Sequence, residues 1–182
     1  MAYREIALEK ALTFIEPGPV VLITTFDGKK NNVMTISWIM PIDFDGHFVI
    51  ASGPWNLSFK TLLKTKQCVV CIPAENMLQT TVKIGDVSGA ECDKFAHFGL
   101  KALPAKTVQA PLIAGCQACL ECEVSDVISR YGFVVLHVKR IVRDSRLARG
   151  RLWHAVGDGT FTLDGKKSNC RQLMKDKLPP GL

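Results

Sequence analysis

Asn31-Asn32-Val33-Met34-Thr35-Ile36-Ser37-Trp38 follows an apolar segment, Pro19 to Phe26, across the turn Asp27-Gly28-Lys29-Lys30. Two β-type runs around so tight a turn predict a hairpin, with strands over Val20 to Phe26 and Val33 to Met40. The second run is chemically mixed. Amides and hydroxyls alternate with Val33, Met34, Ile36 and Trp38. A buried polar group without a partner costs about 1–3 kcal/mol, so an ordinary core strand would carry fewer of them.

Outward from this stretch, Ile6, Ala7, Lys10, Ala11, Phe14 and Ile15 recur at helical spacing and predict a leading helix over Tyr3 to Ile15. Glu16-Pro17-Gly18-Pro19 ends it. His47 to Ala51 reads as a strand, Leu57 to Thr65 as a helix, Cys68 to Ile72 as a buried strand and Asn76 to Ile84 as a short helix. Gly85 to Gly99 is loop-rich, with a helical turn at Lys94 to His97. Two long strands, Cys119 to Ile128 and Phe133 to Val142, meet at Ser129-Arg130-Tyr131-Gly132. A short tail turns at Gly157-Asp158-Gly159. Strands outnumber helices and no regular βαβ alternation appears, so a mainly β fold is expected, a β-barrel with peripheral helices.

The 182 residues are 47% hydrophobic, 22% charged and 8% aromatic, which suits one globular domain over 1–182. The N-terminus carries no apolar signal-peptide core, and no apolar run approaches the roughly 18 residues of a membrane span. A cytoplasmic protein with no membrane partner is the expectation. The net charge of +6 and pI near 9.0 favour anionic partners. Lys139, Arg140, Arg143, Arg146, Arg149 and Arg151 crowd together, opposed only by Asp144. Without aromatic residues for stacking, this run argues against nucleic acid. A solvated strand end or a dock for a nucleotide phosphate are the two readings left open.

Three stretches carry candidate chemistry. Asn32 to Trp38 suits a flat ligand with one polar edge and two apolar faces, such as a flavin ring. In Ser52-Gly53-Pro54-Trp55-Asn56-Leu57-Ser58-Phe59-Lys60-Thr61 a strand ends and a helix opens, capped by Asn56. Free N–H groups and the helix dipole make such an end either a simple cap or a phosphate site, with Ser58 and Thr61 on its first turns. Gly85 to Phe95 holds glycines that let backbone approach a ligand, and it ends near Lys94.

Together these stretches resemble the flavin reductase-like family that includes the flavoredoxins. An N-x-M-T-x-S-W-type segment matches Asn32 to Trp38. Ser88-Gly89, Asp93-Lys94-Phe95 and Gly99-Leu100 match a second segment. Pro111-Leu112-Ile113, with Leu120-Glu121-Cys122-Glu123-Val124 after it, matches a third. The resemblance runs from Pro19 to Val142, and departs at Trp55-Asn56-Leu57 and after Arg143. It implies an FMN-binding split β-barrel in a homodimer. Carried over, it places Asn32, Val33, Met34 and Thr35 beside the flavin ring, with Ser37 and Trp38 in the same motif. Ser52, Gly53, Asn56, Ser58 and Thr61 then fall by the ribityl chain and phosphate, and Lys94 near the flavin. The implied activity is NAD(P)H-dependent reduction of FMN, with electrons passed to free flavin, iron or a redox partner. A non-enzymatic electron carrier is the alternative. No catalytic acid–base pair is visible, and hydride transfer to FMN needs none.

Seven cysteines offer a competing reading. Cys116-Gln117-Ala118-Cys119 has the spacing of an iron–sulfur run, and Cys68-Val69-Val70-Cys71 repeats it. Three residues along a strand span about 10 Å and place side chains on opposite faces, so Cys68 with Cys71, or Cys119 with Cys122, cannot share one metal. Free buried cysteines and no metal site are expected. His137 reads as a core or interface residue, and His154 as a tail residue that could reach a pocket.

Overall fold

The computed structural model describes residues 7, 11–16, 18–147 and 150–174. In chain order its elements are α1 (Leu12–Ile15), β1 (Val21–Phe26), β2 (Asn31–Ile36), β3 (Ile39–Pro41), β4 (His47–Ala51), α2 (Leu57–Thr65), β5 (Gln67–Ile72), α3 (Leu78–Asp86), α4 (Lys94–His97), β6 (Ala102–Leu103), β7 (Leu112–Ile113), β8 (Ala118–Ile128), β9 (Phe133–Arg143), β10 (Trp153–Ala155), β11 (Phe161–Leu163) and α5 (Arg171–Met174). The β1–β2 hairpin forms as expected. Asp27 Oδ1 accepts from the N–H groups of Lys29 and Lys30, each at 2.8 Å, and Gly28 takes a φ of 98°. Of the expected leading helix only Leu12–Ile15 is helical, and residues 1–6 and 8–10 lie outside the described ones. The single strand expected over Val33 to Met40 is two, broken at Ser37-Trp38.

That break shapes the molecule. Seven strands join in one antiparallel sheet ordered β2-β1-β5-β8-β9-β4-β3, so β2 and β3 are its opposite edges. Laid flat, such a sheet would hold its edges about 29 Å apart. The chain from Ile36 to Ile39 reaches only about 11 Å. The sheet therefore curls into a half-barrel, and its two edges approach each other beside Ser37 and Trp38.

Curling gives the sheet two buried faces. In β1 the run Val21, Leu22, Ile23, Thr24, Thr25 is buried throughout, as an apolar strand covered on both sides must be. Val21, Ile23, Met34, Ile50, Cys68, Cys122 and Leu136 face the barrel interior, closed by Phe59 and Leu62 of α2. Leu22, Val33, Val69, Cys71 and Cys119 face outward, under Ile84 of α3, Phe95 of α4 and the segment from Val108 to Cys116. Register keeps these sets apart. Thr35 pairs with Leu22, Leu22 with Cys71, Cys71 with Cys119 and Cys119 with Val142, one straight row on one face.

The outer segment is pinned by a buried carboxylate. Glu121 on β8 is fully enclosed and pairs with Arg140 on β9. Its Oε2 accepts from the Thr107 N–H at 2.6 Å, the Thr107 hydroxyl at 2.7 Å and the Lys106 N–H at 3.0 Å. Thr24 Oγ1 donates to the Pro111 carbonyl at 2.6 Å and fixes the far end.

Burial pushes the Glu121 carboxyl up, but the hydrogen bonds from Thr107, Arg140 and Lys106 outweigh it and hold the group below the ordinary range. A lowered carboxylate stabilises the fold above its unfolded pKa of about 4.3, and that contribution fades as pH falls through the folded value. Glu121→Gln should therefore cost about 3 kcal/mol near neutral pH and progressively less in acid, read by urea denaturation across that range. An equal loss at every pH would show that Glu121 acts by shape alone.

Candidate functional site

At the β2 edge of the sheet a cleft of about 250 Å³ opens between β2, the start of α2 and the segment after α3. Met34 and Thr35 supply its sheet side, Trp55, Asn56 and Leu57 its helix side, and residues 85–89 with Lys94 its far wall. The N-terminus of α2 is built as the sequence suggests. Asn56, in extended conformation, accepts from the Ser58 N–H at 3.2 Å and caps the helix.

Lys94 dominates the electrostatics. It is only 5% exposed, and it donates to the carbonyls of Val33 at 3.0 Å and Ile84 at 2.8 Å. An ammonium has three donors, so one remains for whatever occupies the cleft. Among the described residues no carboxylate pairs with it. Burial pulls its pKa down, the nearby Cys92 opposes that more weakly, and the net direction is downward. A buried cation lacking an anionic partner is costly and commonly marks a functional site.

Beneath the cleft Asn32 is nearly enclosed. Its Nδ2 donates to Ser58 Oγ at 3.0 Å, and its Oδ1 is buried without a hydrogen-bond partner. A Cβ on Gly89 would lie 2.3 Å from that Oδ1, so only glycine lets the loop settle on the amide. Lys30 Nζ holds the same loop through the carbonyls of Gly89 at 3.2 Å and Cys92 at 3.1 Å. Thr35 Oγ1 donates to the Thr81 carbonyl at 2.5 Å and ties β2 to α3.

Of the twelve expected contacts, the structure gathers Met34, Thr35, Asn56 and Lys94 on the cleft. Asn32 and Val33 stand directly behind them, Val33 through its carbonyl. Ser58 is fully buried and turned to Asn32, so it supports the wall and does not face the opening. Thr61 is half-buried one turn further on, and Ser52 and Gly53 are buried, with the Trp55 ring lying across Gly53. Trp55, Leu57 and residues 85–89 complete the cleft and were not among the expected contacts. Trp55 is 82% exposed, and a large apolar side chain directly after Gly53-Pro54 was the available signal.

Ser37 and Trp38 belong elsewhere. Glu16 Oε1 accepts from Ser37 Oγ at 3.2 Å and from Trp38 Nε1 at 3.1 Å. They edge a larger apolar groove of about 720 Å³, bounded by Ile15, Ile39, Met40, Val49 and Phe133.

The basic run is largely neutralised. Arg140 pairs with Glu121, Lys139 with Glu123 at 3.5 Å, Arg146 with Asp144 at 2.7 Å and Arg151 with Glu75 at 3.0 Å. It thus lends little support to a phosphate dock, and Arg149 lies outside the described residues. His137 stacks on His47 at 4.4 Å, and His154 bonds Asp164 at 2.8 Å on β10, away from the cleft. Register sends Cys68 and Cys122 to one core, and Cys71 and Cys119 to the other. Among the described residues no group of three or more His, Cys, Asp or Glu is placed to hold a metal ion.

Residues 15–158 match the flavin reductase like domain. The chain belongs to that family. Among curated relatives, this flavin reductase-like chain is 27% identical to the uncharacterized protein YddH of Escherichia coli over 181 residues, covering 89% of the chain and 95% of YddH. Its fold is that of flavoredoxin from Methanosarcina acetivorans, with a TM-score of 0.81 at 19% identity over 98% and 100% of the two chains. Flavoredoxin of Desulfovibrio vulgaris superposes with a TM-score of 0.78 at 16% identity over 93% and 94%. An FMN-binding domain of flavin reductases-like enzyme from Shewanella baltica gives 0.77 at 22% identity over 90% and 95%. The half-barrel is thus the flavoredoxin split barrel, as the family resemblance implies. No helix of the described residues is long and apolar enough to cross a membrane.

The contact between Gly89 and Asn32 is open to direct measurement. Gly89→Ala should cost about 1–3 kcal/mol by overpacking. Asn32→Ala removes the three atoms nearest to the new Cβ, so the cost should shrink in that background. Urea denaturation of the four proteins checks it, and strictly additive losses would mean that the loop does not rest on Asn32.

Proposed function

We propose that the protein is an FMN-dependent oxidoreductase that takes reducing equivalents from NADH or NADPH and passes them to free flavin, iron or a redox partner. The observation that carries this reading is Lys94, a buried ammonium that meets two carbonyls, has no carboxylate partner and edges a cleft with mixed apolar and polar walls. Such a cation suits the polar edge of a flavin, where negative charge gathers on reduction. FMN supplies hydride and single-electron chemistry when bound. The chain's own residues do the rest. Lys94 offers its remaining N–H and its charge, Trp55 and Leu57 give apolar surface, and the capped start of α2 offers backbone N–H groups to a phosphate. Asn32, with its orphaned Oδ1, and Ser58 hold the wall beneath. Membership of the flavin reductase like domain family and the FMN named for the Shewanella baltica structure support the same cofactor.

Reconstituted with FMN or FAD, the protein should retain FMN, identified by mass spectrometry after release. Lys94→Met should weaken FMN binding by at least about tenfold, the value of one charge-assisted hydrogen bond. Anaerobic NADH or NADPH should then bleach the bound flavin. Retention of FAD alone, or of neither flavin, overturns the reading. Bleaching by dithionite but by neither nucleotide would assign the protein to electron carriers.

The active form is proposed to be a homodimer. A cleft of about 250 Å³ lies below the usual range of roughly 300–1,000 Å³ for ligand sites, so one chain by itself covers little of a flavin. A second copy would also cover the exposed Trp38, Met40 and Phe44, which are 57%, 58% and 76% accessible. Light scattering should report twice the 20.0 kDa chain mass, and Trp38→Glu with Met40→Glu should shift it to the monomer. A wild-type monomer that holds FMN tightly would contradict this arrangement.

A further inference from the structure

Three thiols meet on the outer face of the sheet, far from any role in the cleft. Cys119 on β8 stands directly opposite Cys71 on β5, and Cys116 lies in the turn that leads into β8. Cys71, Cys116 and Cys119 pack within one buried cluster. Their surroundings differ. Cys71 is fully enclosed; Cys116 and Cys119 are also buried, 4% and 5% exposed, but line a surface cavity of about 260 Å³ whose rim carries Arg143, Asp144 and Arg146. Arg146 is paired with Asp144, but among the described residues Arg143 meets the Leu147 carbonyl at 2.9 Å and no carboxylate.

We propose that Cys116 and Cys119 form a peroxide-sensitive dithiol that closes reversibly to a disulfide. Cys119 is the attacking sulfur. Cys116 and Cys71 hydrogen-bond to it and hold its thiol below the ordinary range, whereas hydrogen bonding to Cys119 raises that of Cys116, and burial raises that of Cys71. A lowered thiol that lines a cavity with Arg143 at its rim has the character of a reactive cysteine. Its sulfur attacks hydrogen peroxide, the O–O bond breaks, and hydroxide leaves from a Cys119 sulfenic acid. Cys116 then attacks that sulfur, the S–S bond forms, the S–O bond breaks, and water departs with the Cys116 proton. Two thiols are oxidised and one peroxide is reduced to two waters.

Cys116 is the resolving partner because of where it sits. It follows Gly115, at a φ of 87°, outside the strand ladder, so it can move toward Cys119 without breaking β pairing. Cys71 and Cys119 are both held in the ladder, so neither can shift without disturbing β pairing. Cys71 instead positions Cys119 from behind.

The reaction needs no flavin, so its test is independent of the proposed cofactor. Reduced protein is exposed to hydrogen peroxide, quenched with N-ethylmaleimide under denaturing conditions and digested with trypsin. The peptide 107–130 should lose about 2 Da, with Cys116 and Cys119 unalkylated, Cys122 alkylated, and dithiothreitol reversing the change. Cys116→Ser should arrest the reaction at a sulfenic acid on Cys119 that dimedone captures, and Cys119→Ser should abolish both products. Full alkylation of the wild-type peptide after peroxide, or a bond mapped from Cys71 to Cys119, would overturn the assignment.

Discussion

The two-residue link between β2 and β3 is the constraint on which the rest of the structure depends. Strands adjacent in sequence lie at opposite margins of a seven-stranded sheet, and Ser37-Trp38 is too short to cross a flat one. The sheet has to curl, and curling creates both an enclosed interior and a convex outer face that must be covered. The interior takes Phe59 and Leu62 from α2. The outer face takes α3, α4 and the long segment before β8. Two distinct concavities follow from the same bend: the cleft by the β2 edge, with Lys94 at its wall, and the apolar groove where the two edges meet.

Covering the convex face requires polar anchors, since a long irregular segment brings backbone groups that must find partners. Glu121 accepts from two backbone N–H groups and a hydroxyl while pairing with Arg140. Thr24 secures the Pro111 carbonyl. The same logic explains why so basic a chain presents little concentrated charge along β9 and after it. Most of its arginines and lysines there answer nearby carboxylates, so a net charge of +6 is spread over the molecule.

The cleft shows the opposite economy. Lys94 is buried with carbonyls alone, and Asn32 leaves an oxygen without a partner. Both leave polar capacity unused within the protein, and both lie at or beneath the same opening. Groups of this kind can persist where a ligand completes them, and the proposed flavin site rests on that ground.

Much of the architecture was legible in residue patterns. Asp27-Gly28 marks the hairpin, Asn56 the start of α2, Lys94 to His97 a helical turn and Cys68 to Ile72 a buried strand, each a local property of short-range sterics and hydrogen bonding. The spacing of Cys68 from Cys71 and of Cys119 from Cys122 likewise placed them on opposite faces, because side-chain alternation in a strand is itself local. Tertiary structure alone decided the break at Ser37-Trp38, which follows from closing the sheet and not from any turn residue at that point. It also decided that Ser37 and Trp38 turn to Glu16 while Thr35 borders the cleft, and that Ser58 turns inward to Asn32. The thiol cluster and the pairing of the basic run belong with these. Each depends on which distant strand or loop comes to lie alongside, and the curl of the sheet settles that where spacing along the chain cannot.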